Sequence, residues 1–170
     1  MVLIIMGVVG AGKTTVGDLL ARKLGWKFAD ADDFHPLASK DKIRHGIALD
    51  DADRAPWLAA LRESILQWDA QGQNVVLACS ALKRKYRDEL RTDGVQFVYL
   101  DGIPELIRER LARRHGHFAT DSILKSQFED LERPTHALNV RIDQSPEAIA
   151  MEIIDKLKLA GMAYPDAAQK

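Results

Sequence analysis

The chain has 170 residues, 46% of them hydrophobic and 29% charged, which suits one compact domain with a single core. Twenty-four Lys and Arg stand against 25 Asp and Glu, so no excess of positive charge indicates a nucleic-acid or anionic-membrane surface. No apolar stretch reaches the roughly 18 residues needed to cross a bilayer. We therefore expect a small-molecule partner, no nucleic acid and no membrane, and a single domain over residues 1–160 followed by a tail over 161–170.

The amino terminus and the single cysteine bear on the cellular location. The first residues lack the basic region of a signal peptide and lead directly into a glycine motif that cleavage would destroy. Cys79 cannot form an internal disulfide, and it lies in an apolar run where a buried, inert thiol is expected. Both features favour a reducing, cytoplasmic location.

The first predicted elements are a strand, a glycine-rich loop and a helix. Residues 2–6 form a continuous apolar run that ends at Gly7, as expected of a strand buried on both faces of a parallel sheet. Residues 13–24 carry apolar side chains at helical spacing, and Gly25 supplies a stop signal.

Further apolar runs predict strands at residues 26–29, 74–79, 95–100 and 137–142. Helical patterns separate them, with starts near Pro56, at Pro104 and at Ser145. This alternation predicts a three-layer α/β sandwich with about five mainly parallel strands and helices on both faces. Ligands of such folds bind at the carboxyl ends of the strands, so functional residues are expected just after each strand.

Residues 7–14 match the phosphate-binding pattern Gly-x-x-x-x-Gly-Lys-Ser/Thr, in the required position between a buried strand and a helix. Glycines let the backbone N–H groups fold around phosphate oxygens, and the following helix adds its positive dipole end. Lys13 is predicted to neutralise the β- and γ-phosphates, and the Thr14 hydroxyl to bind Mg²⁺. The predicted nucleotide-binding residues of this loop are Gly7, Gly10, Ala11, Gly12, Lys13, Thr14 and Thr15.

A phosphate-binding loop (P-loop) alone does not separate a kinase from a GTPase switch or a mechanical ATPase. The chain has no Asn-Lys-x-Asp motif to read guanine, and the run 75–80 lacks the terminal Asp of an ordinary Walker B strand. Three carboxylates, at Asp30, Asp32 and Asp33, follow the second predicted strand. In a kinase, one carboxylate can orient the acceptor hydroxyl and another can hold magnesium or its water.

Several segments, in order and spacing, resemble the gluconokinase family from residue 3 to about 132. Two departures are Asp50, where the family usually has Asn, and the segment after Glu132, which is only loosely similar. The matching segments are the P-loop, Asp30 to Pro36, Asp51 to Leu58, Ser80 to Lys83 with Tyr86 and Arg87, Gly116 to Phe118, and Gln127 to Glu129.

The resemblance implies a P-loop kinase with a short lid at about 114–132 that transfers the γ-phosphoryl group of ATP, with Mg²⁺, to the C6 hydroxyl of D-gluconate. It also implies a homodimer. Asp32 is predicted to face the acceptor hydroxyl and Asp30 to support the metal, although the two roles could be reversed. Lys13, Asp32 and Arg114 are the predicted catalytic residues.

Basic and polar residues are predicted to bind the sugar acid, because its carboxylate needs cations and its hydroxyls need hydrogen-bond partners. The predicted substrate-binding residues are Asp32, His35, Arg54, Lys83, Arg87 and His117. Arg110 and Arg114 lie four residues apart on one helix face. Related nucleoside-monophosphate and shikimate kinases place arginines there against adenine and the phosphates, and the resemblance implies the same here.

Two alternatives remain open from the sequence. One is another small-molecule kinase of the shikimate or nucleotide type, which would share the P-loop, the Asp-x-Asp pair and the lid. The other is a nucleotide-binding switch of low turnover, which would lose ATP slowly and would not respond to any sugar acid.

Overall fold

The computed structural model describes residues 1–45, 47, 49–113 and 118–159. The predictions for Arg114, His117 and the tail 161–170 therefore lie outside the described residues. No helix within the described ranges is both long and apolar enough to cross a membrane.

The described residues form a five-stranded sheet in the order β2-β3-β1-β4-β5, and every neighbouring pair is parallel. This confirms the predicted α/β fold. All five residues of the central strand β1 are buried, since helices cover both faces of the sheet. The strands are β1 (Val2–Met6), β2 (Lys27–Asp30), β3 (Val75–Ala78), β4 (Val95–Asp101) and β5 (Leu138–Arg141).

Helices cover the sheet from both sides and leave one core on each face. Leu3 and Ile5 pack in one core, which includes residues of α1, α5 and α7, whereas Ile4 and Met6 pack in the other, which includes residues of α3. This alternation follows the period of two along a strand. The helices are α1 (Lys13–Leu24), α2 (Leu37–Arg44), α3 (Asp51–Ala70), α4 (Arg84–Leu90), α5 (Pro104–Ala112), α6 (Phe118–Asp130) and α7 (Pro146–Leu157), with a short 3-10 helix, Ala31–Phe34, after β2.

Helix α3 begins at Asp51, five residues before the predicted start at Pro56. Asp50 fixes the earlier start through a capping box: its carboxylate accepts a hydrogen bond from the Asp53 backbone N–H at 2.8 Å, and the Asp53 carboxylate accepts one from the Asp50 N–H at 3.2 Å. Asp50, the departure from the family pattern, therefore serves to cap a helix.

This cap gives a stability prediction. Asp50→Ala is expected to lower the free energy of unfolding by about 1 kcal/mol, because the Asp53 N–H loses its acceptor. Asp50→Asn is expected to change the free energy of unfolding by no more than roughly a few tenths of a kcal/mol, because the amide oxygen can accept the same hydrogen bond. Urea unfolding of the two variants and the parent measures both values. Equal losses in the two variants would contradict the capping role.

Candidate active site

The P-loop connects β1 to α1 and has glycine at three positions of positive φ, Gly7 (φ 150°), Gly10 (φ 80°) and Gly12 (φ 98°). A Cβ atom at Gly10 would lie 3.0 Å from side-chain atoms of Ile107 and Leu111. The loop is thus packed closely against α5. The predicted phosphate-binding residues are therefore held on a rigid support at the carboxyl end of the central strand.

Lys13, the first residue of α1, lies next to the acidic groups of the site. Its Nζ donates a hydrogen bond to the Val8 carbonyl at 3.0 Å. Burial lowers the pKa of Lys13, while the charges of Asp32 and Asp30 act in the opposite direction. The ammonium group is thus poorly hydrated, which favours its contact with an anion such as a phosphate.

Asp30 ends β2 and contacts the P-loop helix. Its Oδ2 accepts a hydrogen bond from the Thr14 hydroxyl at 3.0 Å, and its Oδ1 accepts one from the Asp32 N–H at 3.1 Å. The two predicted Mg²⁺ ligands are therefore neighbours, and hydroxyl and carboxylate oxygens are what Mg²⁺ prefers. Among the described residues, no group of three His, Cys, Asp or Glu side chains could hold a metal ion. The Thr14–Asp30 pair fits a magnesium ion that is held mainly by phosphates and water.

Asp32 lies in the 3-10 helix that follows β2. Its side chain is exposed, yet the surrounding protein atoms reduce its hydration and raise its pKa, and the charge of Asp30 adds to this effect. Lys13 and His35 oppose the shift. A carboxylate with a raised pKa is a better proton acceptor than an ordinary one, which suits the predicted contact with an acceptor hydroxyl.

His35 stacks on Trp57, with ring centroids 4.7 Å apart and an angle of 7° between the planes. Burial lowers its pKa, so the imidazole is neutral at pH 7. The Nδ1 atom of His35 is buried and has no hydrogen-bond partner among the described residues. The ring is held in place by the stack, and Trp57 itself is fixed because its Nε1 donates to the Ala31 carbonyl at 2.7 Å.

Charged side chains from α3, the β3–α4 loop, α4 and α6 surround the Tyr86 ring. The guanidinium of Arg54 donates to the Tyr86 hydroxyl at 3.1 Å, and three cations lie within 6 Å of the ring centroid. We call this group the Tyr86 cluster; it consists of Asp51, Arg54, Lys83, Lys85, Tyr86 and Asp130.

The charges of the Tyr86 cluster are linked in a chain. Asp51 accepts a hydrogen bond from Lys85, which has the larger effect, and one from Tyr86. Together they lower the pKa of the Asp51 carboxyl to about 2. Lys83 lies 3.8 Å from Asp51 and 3.2 Å from Asp130. Three cations against two carboxylates leave one positive charge, which matches a singly charged acid. The structure thus brings the predicted substrate-binding residues Arg54 and Lys83 together beside Tyr86 and Asp130.

Arg87 has a different environment. Its side chain is buried and donates to the backbone carbonyls of Ala81, Leu82 and Glu132 at 2.9, 2.6 and 2.9 Å. These bonds hold the β3–α4 loop that carries Lys83, and a buried guanidinium needs such partners. The geometry supports an anchoring role for Arg87 and supplies no argument for the predicted substrate contact.

Arg110 lies on the nucleotide side of the molecule. Its guanidinium donates to the Ile142 carbonyl, and one of its nitrogen atoms is 3.9 Å from where a Cβ atom on Gly12 would lie. This position beside the P-loop agrees with the predicted contact to the nucleotide. The partner predicted for it, Arg114, is outside the described residues.

Three contact residues were not among the predicted site residues. Gln127 of α6 accepts a hydrogen bond from the Val9 N–H of the P-loop at 2.6 Å, Asp130 pairs with Lys83, and Asp51 binds Lys85 and Tyr86. The spacing of three between Gln127 and Asp130 places them on one helix face, but the sequence gives no sign of what that face contacts.

Comparison with known proteins agrees with this geometry. The sequence pattern that defines the shikimate kinase family matches residues 9–158 of this chain. The chain is 44% identical over 174 residues to a probable gluconokinase of Xenopus tropicalis, which covers 90% of this chain and 91% of that protein. It is 43% identical over 157 residues to the gluconokinase of Gluconobacter oxydans (strain 621H), with 89% and 88% covered.

A solved structure gives the same result for the fold. The crystal structure of a gluconokinase from Sinorhizobium meliloti 1021 has a TM-score of 0.80 and 36% sequence identity, covering 94% of this chain and 97% of that one. The P-loop from Val9 onward, the Asp30–Asp32 pair and the Tyr86 cluster lie within residues 9–158, which the family model matches. The chain therefore belongs to the gluconokinase family, within the wider shikimate kinase group of P-loop kinases.

Proposed function

We propose that this protein is a gluconokinase, which transfers the γ-phosphoryl group of ATP to the C6 hydroxyl of D-gluconate and releases ADP and 6-phosphogluconate. The observation that carries the proposal is the placement of the Tyr86 cluster, with one net positive charge, in a P-loop kinase fold whose relatives are named gluconokinases. A small sugar acid has the charge and the hydroxyl groups that such a site can bind.

Phosphoryl transfer depends mainly on positioning and on electrostatic stabilisation. Lys13 and the P-loop backbone hold the phosphates, and the poorly hydrated ammonium of Lys13 interacts strongly with the charge on the transferred group. Asp32 accepts a hydrogen bond from the acceptor hydroxyl and takes its proton as the new P–O bond forms. Thr14 and Asp30 would help to hold Mg²⁺, which would supply further positive charge at the phosphates when bound.

Acceptor binding uses the Tyr86 cluster and the segment that follows β2. Arg54 and Lys83 hold the carboxylate of gluconate. The family resemblance adds His35 as a hydrogen-bond partner for a hydroxyl. The remaining parts of the proposal rest on the family resemblance: Arg110 and Arg114 against the nucleotide, His117 in the lid, and a homodimer. The proposal also places the protein in the cytoplasm. Cys79, the single cysteine, is a free thiol, and burial raises its pKa to about 12, which makes it unreactive.

The acceptor assignment can be tested with charge-removing variants. Arg54→Met and Lys83→Met keep side-chain length but remove a cation. Each is expected to weaken gluconate binding by about 1.5 to 3 kcal/mol, which raises KM for gluconate about 10- to 150-fold. Loss of Lys83 also leaves Asp130 less compensated, which adds repulsion toward an anionic acid. ATP affinity is expected to change little.

Two titrations check this prediction for each variant: gluconate at saturating ATP, and ATP by direct binding. Lys156→Met is a suitable control, since Lys156 is about half exposed and pairs only with Glu152 on α7 among the contacts described. This control is expected to change the free energy of gluconate binding by less than about 0.5 kcal/mol. An unchanged KM for gluconate in both Arg54→Met and Lys83→Met would remove these residues from the acceptor site.

A further inference from the structure

Helix α6 contacts the P-loop through Gln127. The Oε1 atom of Gln127 accepts the Val9 N–H at 2.6 Å, across 118 residues of sequence. Val9 lies between Val8, whose carbonyl accepts the Lys13 ammonium, and Gly10, which packs on α5. Gln127 therefore binds the middle of the loop that carries the phosphate-binding groups.

The same helix contacts the Tyr86 cluster through Asp130. One carboxylate oxygen lies 3.2 Å from the Lys83 ammonium, and the other lies 3.9 Å from the Arg54 guanidinium. Both cations are in our proposed acceptor site. The Asp130 side chain is only 29% exposed, so these ion pairs are partly shielded from water and from salt.

Gln127 and Asp130 are three residues apart and share a face of α6, while apolar residues of the same helix fix its position. Leu124 is buried in the core beside α1 and α5, and Phe128 packs against that core. Just beyond α6, the Glu132 carbonyl accepts the Arg87 guanidinium. A packed helix with polar contacts to two sites is a physical connection between them.

We propose that Gln127 and Asp130 are positioning residues that couple the nucleotide site to the acceptor site through α6. The inference rests on the proposed function for the identity of the acceptor. A nucleotide that orders the P-loop also orders Gln127 and α6, so Asp130 holds Lys83 and Arg54 in place before the acid binds. The protein then loses less conformational entropy when the acid binds. Nucleotide binding therefore favours acid binding, and the coupling is positive. By linkage, gluconate raises nucleotide affinity by the same factor.

The test is to measure gluconate binding by calorimetry with and without the β,γ-imido analogue of ATP and MgCl₂. For the parent protein, the analogue is expected to tighten gluconate binding about fivefold or more. Gln127→Leu removes the acceptor of the Val9 N–H, and Asp130→Asn removes the charge that holds the cations. In each variant the ratio of the two affinities is expected to fall below about twofold.

Glu129→Gln is the matched control, because it makes the same carboxylate-to-amide change on the next residue, whose side chain is 67% exposed. It is expected to keep the parent ratio. A thermal melt identifies any variant that does not fold. If one of the two variants does not fold, the other is sufficient for the test. Parent-like ratios in folded Gln127→Leu and Asp130→Asn would overturn the inference and leave the proposed function intact. Absence of gluconate binding to the parent protein would overturn both.

Discussion

Lys13→Ala is expected to lower kcat/KM by about a hundredfold or more while the fold remains intact. The lost cation is worth on the order of 3 kcal/mol in a preorganised phosphate site. The structure supports a large effect, because burial already lowers the pKa of Lys13 and leaves its charge poorly hydrated. Its one described hydrogen bond, to the Val8 carbonyl, is a small loss by comparison.

Steady-state kinetics and a thermal melt together check this prediction. Arg22→Ala is the control, since Arg22 is in the last turn of α1, at the opposite end of the helix from Lys13, and is 65% exposed. That variant is expected to stay within about twofold of the parent. If Lys13→Ala also stayed within twofold at equal thermal stability, the role of Lys13 at the phosphates would be wrong.

Asp32→Asn is expected to lower kcat by about a hundredfold or more and to change ATP affinity far less, because the amide keeps the shape but cannot take the hydroxyl proton. In the parent, kcat is expected to fall as pH falls through the raised pKa of Asp32, since the protonated carboxyl cannot act as a base. The variant is expected to lack this dependence. A pH series of kcat for both proteins measures it.

The same raised pKa predicts the sign of a stability effect. The folded protein binds the Asp32 proton more tightly than the unfolded chain does, so stability falls as pH rises from the ordinary carboxyl pKa to the raised value. Asp32→Asn is therefore expected to be at least as stable as the parent at neutral pH, by thermal melting. Unchanged kcat in Asp32→Asn, with loss in Asp30→Asn, would reverse the roles of the two carboxylates.

The strands and the P-loop could be predicted because their signals are local. Strands β1, β3 and β4 are mainly apolar runs, whereas β2 and β5 have a weaker signal because polar residues alternate or flank their apolar ones. The loop is a motif with a fixed position between strand and helix. Helices α2 and α4 were harder. Helix α4 has seven residues, too few to display a period, and within α2 Leu37 and Ile43 are exposed, so no buried apolar stripe reveals the helix.

The contacts of the site depend on the tertiary fold. Arg54 and Lys83 could be selected from the sequence, because Lys83 follows a predicted strand, Arg54 precedes a predicted helix start, and both lie in segments that resemble the family. The contacts of α6 have no such signal, since Val9 and Gln127 are 118 residues apart. For Arg87 the sequence suggests a substrate contact that the geometry does not support. A sequence with many exposed arginines does not reveal that this one is buried against three carbonyls.

One coupled assay of ADP release with ATP and MgCl₂, run across gluconate, other sugar acids, shikimate and nucleoside monophosphates, tests whether gluconate is the acceptor. The proposed function predicts rapid, saturable ADP release with gluconate, formation of 6-phosphogluconate in equal amount, and little stimulation by shikimate or nucleoside monophosphates. Faster turnover with shikimate or a nucleoside monophosphate than with gluconate, or slow ATP loss that no acceptor accelerates, would contradict it.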